Sequence, residues 1–275
     1  MVTAAEPAVH SVHPVHSVHP VPAVYGPVTS WRFGQSLGID PIGAVSTCSF
    51  NCVYCQLGEI QRASSQRQVF VPTAQIQQEL LALPSCPIDT VTLSGSGEPT
   101  LAANLADILR TARQIIAKPV GVLTNGSLLT DPAVRQDLDL ADWVAVKLDA
   151  ISADRLRRVN RPLAGFDLQH LWAGLQQFRQ RYRGHLAIQT MLLTGWSQSE
   201  QAEYIEWMAE LRPDEIQLNR PRRPRSLTQQ LESRANHVHC PYPAQALRSI
   251  EPDLLQAFAA RIAAELGIPV RYAAG

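Results

Sequence analysis

Apolar residues recur along most of the chain in two alternating rhythms. Short aliphatic and β-branched runs at 90–94, 120–124, 143–148, 186–193 and 215–219 read as strands, with a last one expected at 269–272. Between them, apolar positions three and four apart predict helices over 72–83, 101–116, 132–138, 168–182, 199–211 and 252–266. In the first of these, Pro72 and Thr73 open the helix and Ile76, Leu80, Leu81 and Leu83 form its apolar stripe. Strands alternating with helices of this length are the pattern of repeated βαβ units, so the chain is expected to be α/β with a parallel sheet.

Polar residues gather where these strands end: Ser94-Gly-Ser-Gly-Glu98, Thr124-Asn125, Lys147 with Asp149, Gln189 and Asn219. Ligands of parallel sheets bind at that edge. Helix caps and tight turns would account for some of these residues one at a time, but less readily for all of them together.

The first two dozen residues follow neither rhythm. His10-Ser-Val-His-Pro-Val15 is repeated as His16-Ser-Val-His-Pro-Val21. Proline and valine favour extended chain there, so residues 1–23 are expected to be a disordered tail and 24–275 the folded domain. The whole chain has 275 residues, is 45% hydrophobic and carries no net charge, so it can bury a core and exerts no long-range pull on nucleic acid. No apolar run reaches the length of a membrane span and no secretory signal opens the chain, so a cytoplasmic protein with no membrane partner is expected. Lys118 and Lys147 are the only lysines; every other basic residue is arginine. A reaction needing a lysine amine therefore has two candidates at most.

Three of the five cysteines fall within eight residues, Cys48-Ser-Phe-Asn-Cys52-Val-Tyr-Cys55. Three thiolates on one short loop can reach three corners of an iron–sulfur cube and leave the fourth iron open. A structural zinc ion is the alternative, with Cys86, Cys240 or a histidine such as His237 or His239 as a distant fourth ligand. Zinc ligands usually come as two close pairs, and no second pair is present, so the spacing favours the cluster.

The triplet, with an aromatic before its last cysteine and with Ser94-Gly-Ser-Gly-Glu-Pro-Thr100 at a strand end, resembles the radical S-adenosylmethionine (SAM) superfamily. The flanking segments 25–38 and 56–58 are similar to bacterial and archaeal members related to the wyosine-synthesis branch, over about residues 24–220. That resemblance implies a partial (β/α)6 TIM-like barrel with parallel strands and two cofactors, a 4Fe-4S cluster and SAM. It implies Cys48, Cys52 and Cys55 as iron ligands, and reductive cleavage of SAM to a 5′-deoxyadenosyl radical that abstracts hydrogen. A one-electron reductant of flavodoxin or ferredoxin type is the implied partner. Gly95, Gly97 and Glu98 would meet the methionine end of SAM. Thr124, Asn125, Lys147 and Asp149 would face its ribose or carboxylate, and Tyr54 its adenine. Gln189 and Asn219 join the ring by position only. Gly97→Val is expected to block SAM while sparing the cluster.

The substrate is not written in these motifs. Arginines cluster at 155–161, 179–183 and 220–225, and the last run follows a strand end, where it could grip RNA phosphates. In an arginine-biased chain of zero net charge, solvated surface residues explain the other clusters better. The wyosine reaction uses lysines and a second cluster as that branch implies, and two lysines and two isolated cysteines do not match it. A non-catalytic iron–sulfur redox or metal-binding protein is the alternative function, against which the missing fourth cysteine near the triplet argues.

Overall fold

The computed structural model describes residues 21–231, 234 and 242–272. The histidine repeat up to residue 20, together with His237, His239 and Cys240, lies outside the described residues.

The first strands are β1 (Val24–Ser30), β2 (Gly34–Ile39) and the two-residue β3 (Thr47–Cys48) and β4 (Arg62–Ala63). Helix α1 (Thr73–Leu81), β5 (Thr90–Leu93), α2 (Leu105–Ile116), β6 (Val120–Thr124), α3 (Pro132–Leu138) and β7 (Trp143–Lys147) follow. The second half runs α4 (Ala153–Val159), α5 (Leu168–Arg181), β8 (His185–Met191), α6 (Gln198–Leu211) and β9 (Glu215–Asn219). It closes with the short β10 (Arg225–Ser226) and β11 (Ala244–Gln245), then α7 (Pro252–Leu266) and β12 (Val270–Tyr272).

The main sheet has the order β1-β2-β5-β6-β7-β8-β9-β12. Only the β1–β2 pair is antiparallel; from β2 to β12 every pairing is parallel. The order ends at β1 and β12 without pairing them, as expected of an open, partial TIM-like barrel. All six expected strands form, and β2 adds a seventh parallel one. Among the helices, α2 starts at Leu105 rather than 101, because Pro99–Leu101 is a separate 3-10 turn capped by Glu98. The short helix α4, capped by the Ser152 side chain, was not expected.

The two faces of the sheet differ in kind. Val91, Leu93, Val120, Val122, Val144, Val146, Leu186, Ile188, Ile216 and Leu218 point outward and merge with the helices into one aliphatic core. The inward positions are small or polar: Ser36 bonds Thr92 at 2.6 Å and Gln189 donates to Gln217 at 2.8 Å. Trp143 fills the inside near the strand starts, with Phe33 from the β1–β2 turn stacked on it at 4.1 Å and Ala145, Ala187 and Leu123 around it. A Cβ at Gly121 would overlap the Trp143 ring, so a glycine there makes room for that plug. Beyond the plug the interior opens toward the strand ends. Among the described residues, no helix is long and apolar enough to cross a membrane.

Candidate active site

The cysteine loop leaves β2 and is stitched to three strand ends in turn. Thr47 bridges to Gly97 after β5, and the Glu98 N–H donates to the Thr47 carbonyl at 3.0 Å. Ser49 bonds Ser127, beyond β6, at 2.6 Å. The Val53 N–H donates to the Val159 carbonyl at 2.9 Å, and the Asn51 N–H reaches the Asn160 and Arg161 carbonyls, all beyond β7. The result is a cavity of about 760 Å3 at the carboxyl ends of the strands, with Cys48, Cys52 and Cys55 in its lining.

Tyr54, Gly95, Gly97, Glu98, Thr124, Asn125 and Lys147 line the same cavity, and so do Gln189 and Asn219. Asp149 does not; it lies buried behind Tyr54. Its Oδ2 accepts from the Tyr54 hydroxyl in a short bond and from Asn160 Nδ2 at 2.6 Å, and its Oδ1 from the Met191 N–H at 2.7 Å. Lys147 Nζ donates to the Tyr54 hydroxyl at 3.1 Å and sits 4.7 Å from the centre of its ring. Burial beside Asp149 pushes the Tyr54 phenol well above its ordinary pKa, so it stays a donor.

Glu98 is also buried. Its Oε1 accepts from the Thr124 hydroxyl at 2.6 Å, the Thr100 hydroxyl at 2.7 Å and the Thr100 N–H at 3.1 Å. Its Oε2 takes only the Asn125 N–H, at 2.7 Å, and so keeps acceptor capacity toward the cavity. Burial raises the Glu98 pKa, while these donors hold it down.

Both glycines of the Ser-Gly-Ser-Gly turn are explained by protein neighbours. Gly95 has φ 149°, and a Cβ there would overlap the Asp40 carboxylate. A Cβ at Gly97 would overlap the carbonyl oxygen of Thr47, the residue before Cys48. The expectation that Gly97→Val would spare the cysteines is therefore revised: that side chain would push directly on the start of their loop. Asp40, absent from the sequence reading, is fully buried and accepts from the Ile42, Gly43 and Ser96 N–H groups and from Arg234. Only the Gly-Ile-Asp ending of β2 hints at it in the sequence.

All three thiols are held toward their protonated form. Burial, with Glu98 and Cys52 nearby, raises Cys48 well above a normal thiol; burial raises Cys52 to about 12 and also raises Cys55. Cationic iron is what would hold them as thiolates. Asn125 Nδ2 approaches Cys48 Sγ at 3.5 Å and Asn160 Nδ2 approaches Cys52 Sγ at 3.6 Å, so amide donors already point at two of the sulfurs. Cys86 is not in the cavity lining.

The arginine clusters separate by surroundings. Arg155 pairs with Glu200, Arg157 and Arg158 with Asp154, Arg179 with Asp214, and Arg181 with Asp139. The run after β9 divides: Arg220, Arg222 and Arg223 line the cavity, whereas Arg225 is buried and donates to the Gly58 carbonyl at 3.4 Å. At Gly58, φ 86°, a Cβ would come within 2.5 Å of the Thr228 carbonyl oxygen, so residues 225–228 lie against the end of the cysteine loop.

Comparison with known proteins agrees with this geometry. The chain is 51% identical over 255 residues to UPF0026 protein slr1464 of Synechocystis sp., covering 92% of this chain and 96% of that protein. It superposes on a radical SAM methyltransferase from Sphaerobacter thermophilus with a TM-score of 0.58 at 16% identity, over 87% of this chain and 67% of that one. SuiB of Streptococcus suis bound to S-adenosylmethionine gives 0.59 at 13% identity, over 83% of this chain and 48% of that one, so the chain spans about half the length of SuiB. The Radical SAM superfamily profile matches residues 44–208, from just before the cysteine loop into α6. The chain is thus a UPF0026 protein and a member of the radical SAM superfamily, whose enzymes bind a 4Fe-4S cluster and SAM.

Proposed function

We propose that Cys48, Cys52 and Cys55 hold the cluster and that the strand ends from β5 to β7 hold SAM, within a radical SAM domain spanning residues 24–275. The observation that carries this reading is that the cysteine triplet and the strand-end polar groups line one cavity. When bound, the two cofactors supply one-electron cleavage of SAM and a radical able to abstract hydrogen.

The chain's own residues orient and enclose. Glu98 Oε2 is the acceptor with room for the SAM ammonium group. Lys147 is the cation within the cavity suited to its carboxylate, already steadied by the Tyr54 hydroxyl. Asp149 acts behind the lining: it fixes Tyr54 and Asn160, and through them the cysteine loop. Trp143 and Phe33 plug the barrel interior toward the strand starts and limit entry of water from that side.

Anaerobic loading with iron and sulfide, followed by SAM and dithionite, tests the reading. Release of 5′-deoxyadenosine is expected, with a flavodoxin or ferredoxin able to replace dithionite. Cys48→Ala, Cys52→Ala and Cys55→Ala should each lose most bound iron, and Cys86→Ala none. Full iron retention in Cys52→Ala would sink the assignment. RNA is the second substrate reading, favoured by the exposed Arg222 beside the cavity. On that reading Arg222→Ala flattens the dependence of RNA affinity on salt, because fewer counterions are released.

A further inference from the structure

The wall of the cavity remote from the cysteines holds a half-buried guanidinium that forms no salt bridge among the described residues. Arg32 lies at the tip of the β1–β2 hairpin. Phe33 anchors that tip inside the barrel by stacking on Trp143, and the Trp31 carbonyl accepts from Arg271 of β12 at 2.9 Å. The hairpin therefore reaches from one edge of the open sheet to the other and carries Arg32 to the end of β9. There Nη1 donates to Asn219 Oδ1 at 3.0 Å, while Nε is buried with no hydrogen-bond partner among the described residues.

No carboxylate among the described residues forms a salt bridge with Arg32. Glu215 is occupied by Gln217 Nε2 at 2.5 Å and Arg271 Nη1 at 3.5 Å. Burial and the neighbouring Arg271 lower the Arg32 pKa to about 10 against a smaller upward pull from Glu215, which still leaves it cationic at neutral pH. The Trp31 and Phe33 ring centres lie 4.9 and 5.7 Å from the guanidinium carbon, but a half-buried charge whose buried Nε has no acceptor is still costly unless something pairs with it. Elsewhere Arg155, Arg179 and Arg181 pair with Glu200, Asp214 and Asp139. Arg220, next to Asn219, lines the same cavity and also forms no salt bridge among the described residues.

We propose that Arg32, with Asn219 and Arg220, forms an oxyanion subsite that binds a phosphate or carboxylate group of the substrate. The subsite lies at β9, two strands along the sheet from β7, whose Lys147 is the nearest strand-end residue assigned to SAM. It is thus separate from the strand ends assigned to SAM. A planar guanidinium offering paired N–H groups suits either anion. Calling the guest a substrate rests on the radical SAM reading of the cavity; the anion binding itself does not.

Calorimetric titration with sodium pyrophosphate and with sodium succinate tests the subsite. It is done on the cluster-loaded, SAM-saturated protein and repeated on the cluster-free chain, so a failure to load iron leaves the anion result readable. A single saturable site is expected for at least one anion, weakened about 10- to 100-fold in Arg32→Gln. Arg110→Gln, on the exposed face of α2, should match the wild type. Tighter pyrophosphate assigns a phosphate-bearing substrate, and tighter succinate a carboxylate. If Arg32→Gln does not fold, Arg220→Gln carries the test, with about tenfold weakening expected. Absence of saturable binding in the wild type, or unchanged affinity in the folded variant, would overturn the proposal.

Discussion

On the cysteine side of the cavity, Asp149 accepts from Tyr54, Asn160 and Met191, and Glu98 from Thr100, Thr124 and Asn125. On the far side, Arg32 has one protein acceptor, Asn219, and a buried Nε with none among the described residues. In the first wall both buried carboxylates are each held by three residues before anything binds, which suits cofactors that must be held in one geometry, although the buried Asn51 and Asn160 Oδ1 atoms there have no partner among the described residues. The second is incomplete, which suits a guest that comes and goes. The contrast is one of charge: the buried carboxylates of the first wall have their donors, whereas the guanidinium of the second forms no salt bridge among the described residues.

The largest effect that separates the walls should come from Asp149→Ala. It strands three donors, the Tyr54 hydroxyl, Asn160 Nδ2 and the Met191 N–H, and removes the side-chain tie between the cysteine loop and β8, while the backbone bonds of Asn51 and Val53 to residues 159–161 remain. A destabilisation of about 3–5 kcal/mol is expected from breaking such a buried charged network, read as a lower midpoint in urea, with most iron lost. Asp149→Asn keeps two acceptor lone pairs and should lose less. If Asp149→Ala loads iron normally, the first wall is not the scaffold described here.

Gly97→Val comes next. Overpacking against the Thr47 carbonyl should cost about 1–3 kcal/mol and reduce iron loading together with SAM binding. Iron content and SAM affinity measured on one preparation decide the point. Lost SAM affinity with full iron would restore a glycine needed for SAM alone.

That revision shows what was legible in the chain. The six strands from 90 to 272 could be read because their aliphatic runs stop at polar residues, and the cavity inherits those stops. Gly97 stood out as a glycine, but its neighbour Thr47 is 50 residues away in sequence and becomes visible only when the loop is folded. Strand β2 was missed because Gln35, Ser36 and Gly38 break the apolar run; Ser36 faces the polar interior against Thr92, and Gly38 is under the Tyr25 ring, where a Cβ would overlap it. Missing β2 also hid the hairpin, and with it Arg32. The contact from Arg32 to Asn219 spans 187 residues, and no local periodicity encodes it.

The helical shell sets the baseline for both walls and should give the smallest effect. Asp214 accepts from the Leu186 N–H at 2.8 Å and from Arg179 at 3.0 and 3.2 Å. Partial burial pushes its carboxyl up, but these donors outweigh it and hold the pKa below the ordinary value. Glu200 is also held low: partial burial raises it, and the Ser197 N–H and Arg155 more than offset that. In both cases the native state binds fewer protons than the unfolded chain through the acid range. Stability from these pairs is therefore complete above the unfolded pKa values of about 4 and is lost as pH falls through the lower folded ones. Both side chains are partly exposed, so solvent screening limits each pair to about 0.2–1 kcal/mol. Melting temperatures between pH 3 and 7 check this: the wild type should drop more steeply on acidification than Asp214→Asn, while iron content at neutral pH stays equal. Equal slopes would remove this pair from the account of acid stability. A loss of iron in Asp214→Asn would mean that the shell and the cysteine wall are coupled, and the contrast between the two walls would then need a third member.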